Sequence, residues 1–226
     1  KEFFERFPVE DIILPEIKEN DLDDVPEEGK KIALRKAESF TYIKQEKRYK
    51  EAVQAYLAST SYADHLVGMI LEGLEKSPYA KNTIVVLWSD HGWHLGEKGH
   101  WHKGTLWERS TRVPFIVYDT RKANGGNSSA RPVGLVDLFP TLIDLCNTDK
   151  RHELDGQSLV PLMKSPKRTW ERPALTVFQR PGNYALRSDD FRYIRYWDGS
   201  EEFYDHRVDP NEWNNVAADP EYSQEK

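Results

Sequence analysis

Two short runs of uninterrupted apolar residues constrain this chain more than anything else in it: Ile84 to Trp88 and Pro114 to Tyr118. Each is far too short to span a bilayer. Each is also too continuous for a strand with one wet face, where apolar and polar residues alternate. An unbroken run suits a strand covered on both faces, the habit of parallel sheets flanked by helices. The first run follows a helical pattern. Val53, Tyr56, Leu57, Val67, Ile70, Leu71 and Leu74 recur at spacings of three and four. That predicts one apolar stripe on a helix from about Tyr49 to Lys76, ended by Gly73 and Ser77-Pro78. The expectation is an α/β fold. Leu, Ile, Val and Phe supply 52 of the 226 residues. This is just above the roughly one-fifth share below which chains stay disordered, so the core is lean.

Around these elements the chain divides. Residues 8–29 are acidic and aperiodic, and Lys30 to Lys50 is charged but compatible with helix. Arg121 to Arg131 reads as a loop centred on Gly125-Gly126-Asn127-Ser128-Ser129. Asp137 is placed to cap a helix reaching about Cys146, with Pro140 in its first turn and Cys146 as a buried helix residue. Beyond Arg151 the pattern becomes short aromatic and β-branched runs at 174–178, 184–187, 191–197 and 202–204, with Asp198-Gly199 as a hairpin signal. That predicts a small antiparallel sheet. The expected organisation is an α/β core over 1–150 and a small α+β subdomain over 151–226.

Net charge is −6 and one cysteine is present. The acidic balance and the lack of a basic stripe argue against nucleic acid as a partner. A single Cys excludes an internal disulfide and a cysteine zinc site. The opening Lys1 to Pro8 is neither an initiator methionine nor a signal peptide, so the expectation is a fragment or a processed chain.

The chemistry concentrates after the first apolar run. Four of the seven histidines, His91, His94, His100 and His102, fall within residues 91–102, among Asp90, Trp93, Trp101 and Lys103. In open α/β sheets, ligands bind beyond the carboxyl ends of strands, which is where Asp90 and His91 stand. A carboxylate and an imidazole there can hold a metal, and the donor types alone lean toward zinc. Gly92 permits a sharp turn, and Lys103 can meet an anionic group. Taken singly, each of His94, His100 and His102 reads as an ordinary surface histidine and each tryptophan as packing. Asp-His-Gly alone is a common turn. Their crowding after an apolar strand is what points to a site. Glu97 and Arg112 read as ion-pair partners holding the loop.

The run from Thr83 to Lys103, followed by Thr111-Arg-Val-Pro-Phe-Ile-Val117, resembles the C-terminal half of a sulfatase, closest within that family to iduronate-2-sulfatase and its bacterial relatives. Lys1 to Pro15, Tyr56 to Asp64 with Val67-Gly68, Val136 to Leu142, and Glu202 to Asn215 are similar to further family segments, in the family's order. The resemblance implies part of an alkaline-phosphatase-like α/β/α sandwich with a small C-terminal antiparallel-sheet subdomain. It implies sulfate-ester hydrolysis on a sulfated carbohydrate, and secreted or periplasmic location. It places Asp90 and His91 on calcium ligands and Lys103 on a lysine that contacts sulfate and assists the leaving oxygen. It places His94, His100, His102, Trp93 and Trp101 where relatives shape the substrate pocket. Calcium rather than zinc rests on the resemblance alone, since a histidine ligand departs from calcium's preference for oxygen donors.

The family nucleophile is a formylglycine made from Cys/Ser-x-Pro-x-Arg, and this sequence contains no such motif. The nucleophile, the early aspartates of the calcium site and the other basic sulfate contacts are therefore expected in an N-terminal half of the same protein, and this chain alone is expected to be inert. Two other readings stand beside this one. One is a zinc-dependent phosphate-ester hydrolase of the same superfamily, although His152 and His206 lack a supporting motif. The other is a non-catalytic pseudo-sulfatase or carbohydrate-binding protein.

Overall fold

The computed structural model describes residues 1–35, 37–122, 125–149 and 152–226. Two compact units form, and neither is one continuous stretch. The first comprises Lys1–Leu22, Lys31–Lys103 and Val113–Ala123, and the second Asp23–Lys30, Gly104–Arg112 and Asn124–Lys226. The helix predicted to end near Cys146 lies in the second unit. Among the described residues, no helix is long and apolar enough to cross a membrane.

The first unit opens with α1 (Glu2–Glu5), then α2 (Glu27–Leu34, whose last residues lie in this unit), α3 (Ala37–Gln45) and α4 (Tyr49–Glu75). The predicted long helix is α4, one residue shorter than read. Its end is closed by Lys76 N–H donating to Glu72 O and Leu74 O. Ser59 and Thr60 hydroxyls donate back to the carbonyls of Ala55 and Tyr56 at 2.7 and 3.0 Å, which lets polar residues ride mid-helix. Only Val53 and Ala58 of this helix are fully buried, and Ile70 is 71% exposed. The stripe is thus covered only toward its start, where Gln54 Nε2 donates to Phe7 O at 2.7 Å and Lys50 Nζ to Glu10 O at 3.0 Å.

The two apolar runs become β1 (Ile84–Trp88) and β4 (Phe115–Asp119), and they pair with each other. The pairing is antiparallel, with Val86 opposite Val117 and Trp88 opposite Phe115, which corrects the parallel reading. Leu87, Trp88, Ile116 and Tyr118 are exposed in this chain, so neither strand is covered on both faces. A continuous apolar run records that both faces are apolar, and it is silent on strand direction. Between β1 and β4 lies a small ribbon, β2 (His94–Leu95) paired with β3 (Trp101–His102).

The second unit contains α5 (Glu108–Thr111), α6 (Leu138–Cys146), α7 (Val160–Lys164) and a four-stranded meander. Its strands are β5 (Ala174–Val177), β6 (Tyr184–Arg187), β7 (Phe191–Arg195) and β8 (Glu201–Asp205), consecutive and antiparallel. All four follow the sequence expectation, including the turn at Asp198-Gly199, where Gly199 takes φ +85°. Two details in α6 differ. Asp137 makes no side-chain cap. Its carboxylate instead accepts from Gly134 N, Gln157 N and Arg172 Nη1, tying three loop segments together. Cys146 is exposed, and Leu145 is the buried neighbour.

The centre of the second unit is a buried carboxylate. Glu202 is 0% exposed and accepts from Trp107 Nε1 at 2.8 Å and from the hydroxyls of Tyr196 and Tyr204. Three donors replace the water that burial removes. Burial, and then the charge of Glu202, push both tyrosine hydroxyls well above their ordinary range. Gly29 is required beside this cage: a Cβ there would sit 2.6 Å from Tyr196 Oη and 2.8 Å from Glu202 Oε1. Glu202→Gln turns an amide N–H₂ toward donors and is expected to cost about 2–4 kcal/mol, read as a lowered urea midpoint of the full-length protein. An unchanged midpoint would show that the cage does not bear on stability.

Candidate active site

The site candidates 90, 91, 93, 94 and 100–103 all lie in the first unit. Directly after β1, Ser89 Oγ donates to His91 O at 2.8 Å and fixes the turn. The Asp90 side chain is 72% exposed and that of His91 29%. His91 Nδ1 lies 2.8 Å from Gly92 O. A carbonyl only accepts, so Nδ1 carries a proton, and in the neutral ring Nε2 then keeps its lone pair. That Nε2 is 3.6 Å from Asp90 Oδ1, too far for a hydrogen bond between them. Two donors at about 2.3–2.6 Å from one calcium, set at right angles, stand roughly 3.3–3.7 Å apart. The pair fits as two members of a larger coordination set.

Trp93 lies beside this pair. Its ring centroid is 6.4 Å from that of His91, 6.5 Å from Tyr56 and 4.4 Å from His102. Its indole N–H is buried and meets no acceptor among the described residues. His102 takes φ +151°, a region that residues with a Cβ rarely enter. Lys103 is exposed.

The other three candidates make packing contacts. Trp101 stacks 6.4 Å from Phe40 and meets Tyr49 edge-on at 6.2 Å. His94 is 0% exposed, with Nδ1 at 3.2 Å from Glu97 O. His100 is 1% exposed, with Nδ1 at 2.6 Å from Ala33 O and Nε2 at 3.2 Å from Lys103 O. Both rings are sealed from solvent in this chain. Substrate contact therefore narrows from five side chains toward Trp93 and His102.

The ribbon that carries them is held from below. Gly96 has φ +126°, and a Cβ there would lie 2.6 Å from Tyr49 Oη. Tyr49 donates to Leu95 O at 2.6 Å, and burial, then the charge of Glu97, raise its hydroxyl above the ordinary range. Glu97 accepts from Leu95 N at 2.7 Å, so it braces the loop through the main chain. Lys98, unremarked in the sequence, is buried with Nζ 2.8 Å from Asp21 Oδ1. Burial raises the Asp21 carboxyl above its ordinary value even against the pull of Lys98. Arg112 stands 3.9 Å from Glu108 and is 81% exposed, a pair of little consequence.

A second cluster lies in the other unit, unmarked in the sequence apart from its place in the C-terminal motif. Ligand atoms of Glu108, His206 and Glu212 lie within 4.8 Å of one another, which is metal-like spacing. Arginines fill it instead. Arg192 Nη2 pairs with Glu108, and Arg192 Nε lies 2.5 Å from Glu212 Oε1, off the line of a good hydrogen bond. Arg187 Nη2 donates to His206 Nδ1 at 3.0 Å, so His206 Nε2–H donates to Glu212 at 2.9 Å. These lone pairs are already taken, and the cluster reads as a buried ion network.

Against known proteins, residues 22–148 match the family profile described as Sulfatase, and residues 96–226 match that described as N-sulphoglucosamine sulphohydrolase, C-terminal. The chain belongs to the sulfatase family. A sulfatase of Formosa agariphila is 39% identical over 96% of this chain and 43% of its own length. An N-acetylglucosamine-6-O-sulfatase of Bacteroides thetaiotaomicron is 29% identical over 79% of this chain and 34% of its own. A solved structure in complex with its substrate D-glucosamine-2-N,6-O-disulfate superposes with a TM-score of 0.72 at 29% identity, covering 79% of this chain and 38% of that one. The chain thus spans less than half the length of these relatives. The alkaline-phosphatase-like α/β fold with its antiparallel C-terminal sheet, expected from the sequence, agrees with these neighbours.

The ion network makes a prediction about pH. Burial opposes the Glu212 charge, but Arg192, His206 and the Glu108 N–H outweigh it and hold the carboxyl at about 2. A depressed folded value stabilises the fold above the unfolded value of about 4.5. That contribution drains as pH falls through the interval toward 2. Thermal melts of the full-length protein from about pH 6 to about pH 2 are expected to show a shallower acid slope in Glu212→Gln. Parallel slopes would refute the assignment.

Proposed function

We propose that this chain forms the C-terminal part of a sulfatase that hydrolyses sulfate esters of a sulfated sugar. The observation that carries the reading is the Asp90–His91 pair at the end of β1, with Nδ1 of His91 tied back and Nε2 turned toward Asp90 Oδ1 at 3.6 Å. Asp90 and His91 would hold a divalent cation, calcium by family resemblance. When bound, that ion supplies a fixed positive charge for sulfate oxygens. Lys103 faces solvent and supplies a mobile cation able to donate a proton to the departing sugar oxygen. The His102 and Trp93 rings pack against each other at a tilt beside the pair and would form a wall of the sugar pocket. The nucleophile is expected as a formylglycine from a Cys/Ser-x-Pro-x-Arg motif outside this sequence, in the N-terminal half of the same protein. The sugar class follows from relatives described as acting on N-acetylglucosamine 6-O-sulfate and ulvan.

Sulfate release by the full-length protein from a panel of sulfated sugars tests this. Asp90→Ala and Lys103→Ala are each expected to lower kcat/KM by about 10²-fold or more. EGTA should abolish turnover and added calcium restore it. Unchanged activity in both variants would sink the site. Zinc dependence with preference for phosphate esters would transfer the chain to the phosphohydrolase reading.

A further inference from the structure

We infer that His100 is a positioning residue for Lys103. The inference rests on the leaving-group role proposed for that lysine. His100 is buried three residues before Lys103, and its ring bridges two carbonyls, Ala33 O in the last turn of α2 at 2.6 Å and Lys103 O at 3.2 Å. Carbonyl oxygens only accept, so donation on both sides requires the ring with both N–H groups, and a ring with one N–H donates to one carbonyl at a time. Nothing else in the side chain is free for other work: the ring is sealed from solvent and cannot touch substrate.

The backbone here needs such a tie. Lys98, Gly99 and His102 take φ of +55°, +62° and +151°. Two of these three carry a Cβ, and conformations of this kind persist where surrounding contacts over-determine them. The Lys98–Asp21 pair fixes the start of the stretch, and the His100 bridge fixes its end. Lys103 itself is exposed. Its long side chain swings from a main-chain position that the histidine sets. Misplacement of a reacting group by about 1 Å can cost about 10²-fold in rate. The histidine thus acts on the reaction through the lysine, and its effect should depend on how much help the leaving oxygen needs.

Two amide replacements separate the two halves of the bridge. In His100→Gln the terminal amide reaches the position of Nε2 and can still donate to Lys103 O. In His100→Asn it reaches only the position of Nδ1 and donates to Ala33 O. Both variants of the full-length protein are assayed per folded molecule, calibrated by thermal melting, on two substrates. One is the sulfated sugar turned over best, whose alkoxide is a poor leaving group; the other is 4-nitrophenyl sulfate, whose phenoxide leaves unaided. His100→Asn is expected to lower kcat on the sugar sulfate by about 30-fold or more with KM within about 2-fold, and to change 4-nitrophenyl sulfate turnover by under about 3-fold. His100→Gln should keep most of the sugar-sulfate activity, and Lys103→Ala should reproduce the Asn pattern. Equal losses on both substrates in both variants would overturn the inference and leave a packing role. If Lys103→Ala leaves sugar-sulfate hydrolysis unchanged, the reading of Lys103 fails first, and the inference falls with it.

Discussion

The Lys98–Asp21 pair is the contact on which the site-bearing ribbon depends. Both side chains are almost wholly buried, and the pair joins residues 77 positions apart. Asp21 Oδ2 also accepts from Lys98 N at 3.1 Å, so the carboxylate grips main chain and side chain of one residue together. Such a pair gains little net stability, because desolvation offsets most of its Coulomb attraction. Burial raises the Asp21 carboxyl even with the lysine beside it, in keeping with that offset. Breaking the pair is another matter, since it would strand a charge in the interior. Its consequence is therefore geometric. Lys98 sits at φ +55° between Gly96 and Gly99, and the turn that reverses β2 into β3 has one register when this residue is pinned. The return strand then delivers Trp101, His102 and Lys103.

That anchoring explains how a crowd of like residues divides its labour. Four histidines within twelve positions look equivalent in sequence. In the fold, His94 and His100 turn inward and bond to carbonyls, while His91 and His102 stay at the surface beside Trp93. The strand period does not make this division, since His94 and His102 stand opposite each other across β2 and β3, and His102 leaves the regular strand conformation at φ +151°. A buried imidazole can satisfy main-chain carbonyls that an apolar side chain would leave bare. Half of the cluster is thus the frame that holds the other half.

What the sequence disclosed follows from how local each signal is. The helix over 49–75 and the strands at 174–177, 184–187, 191–195 and 201–205 were legible because periodicity and turn residues act over a few positions. The family motif over 83–103 was legible for the same reason. Strand direction in the β1–β4 pair was not, because two apolar runs look alike in either sense. Asp137 read as a cap from its place before a helix, yet its partners come from Gln157 and Arg172, far along the chain. Cys146 read as buried from composition, but the helix turns Leu145 inward instead. The Glu108, Arg192 and Glu212 network was invisible, since its members come from segments 84 and 104 residues removed from Glu108.

Two clusters in this chain offer carboxylate and imidazole at close range, and their difference is one of satisfied valence. Around Glu212, the Arg192 guanidinium, the His206 ring N–H and the Glu108 main-chain N–H crowd the carboxylate, so a cation would have to displace partners already in place. At Asp90 the carboxylate is open to solvent, and the one tie on His91 is made through Nδ1, which leaves the second nitrogen directed outward. Proximity of donors is common in folded proteins. A site needs donors whose lone pairs are both oriented by the protein and left unspent by it. By that standard the short turn after β1 keeps the donors that the proposed ion would need, and the larger, better-buried cluster is organised for the fold.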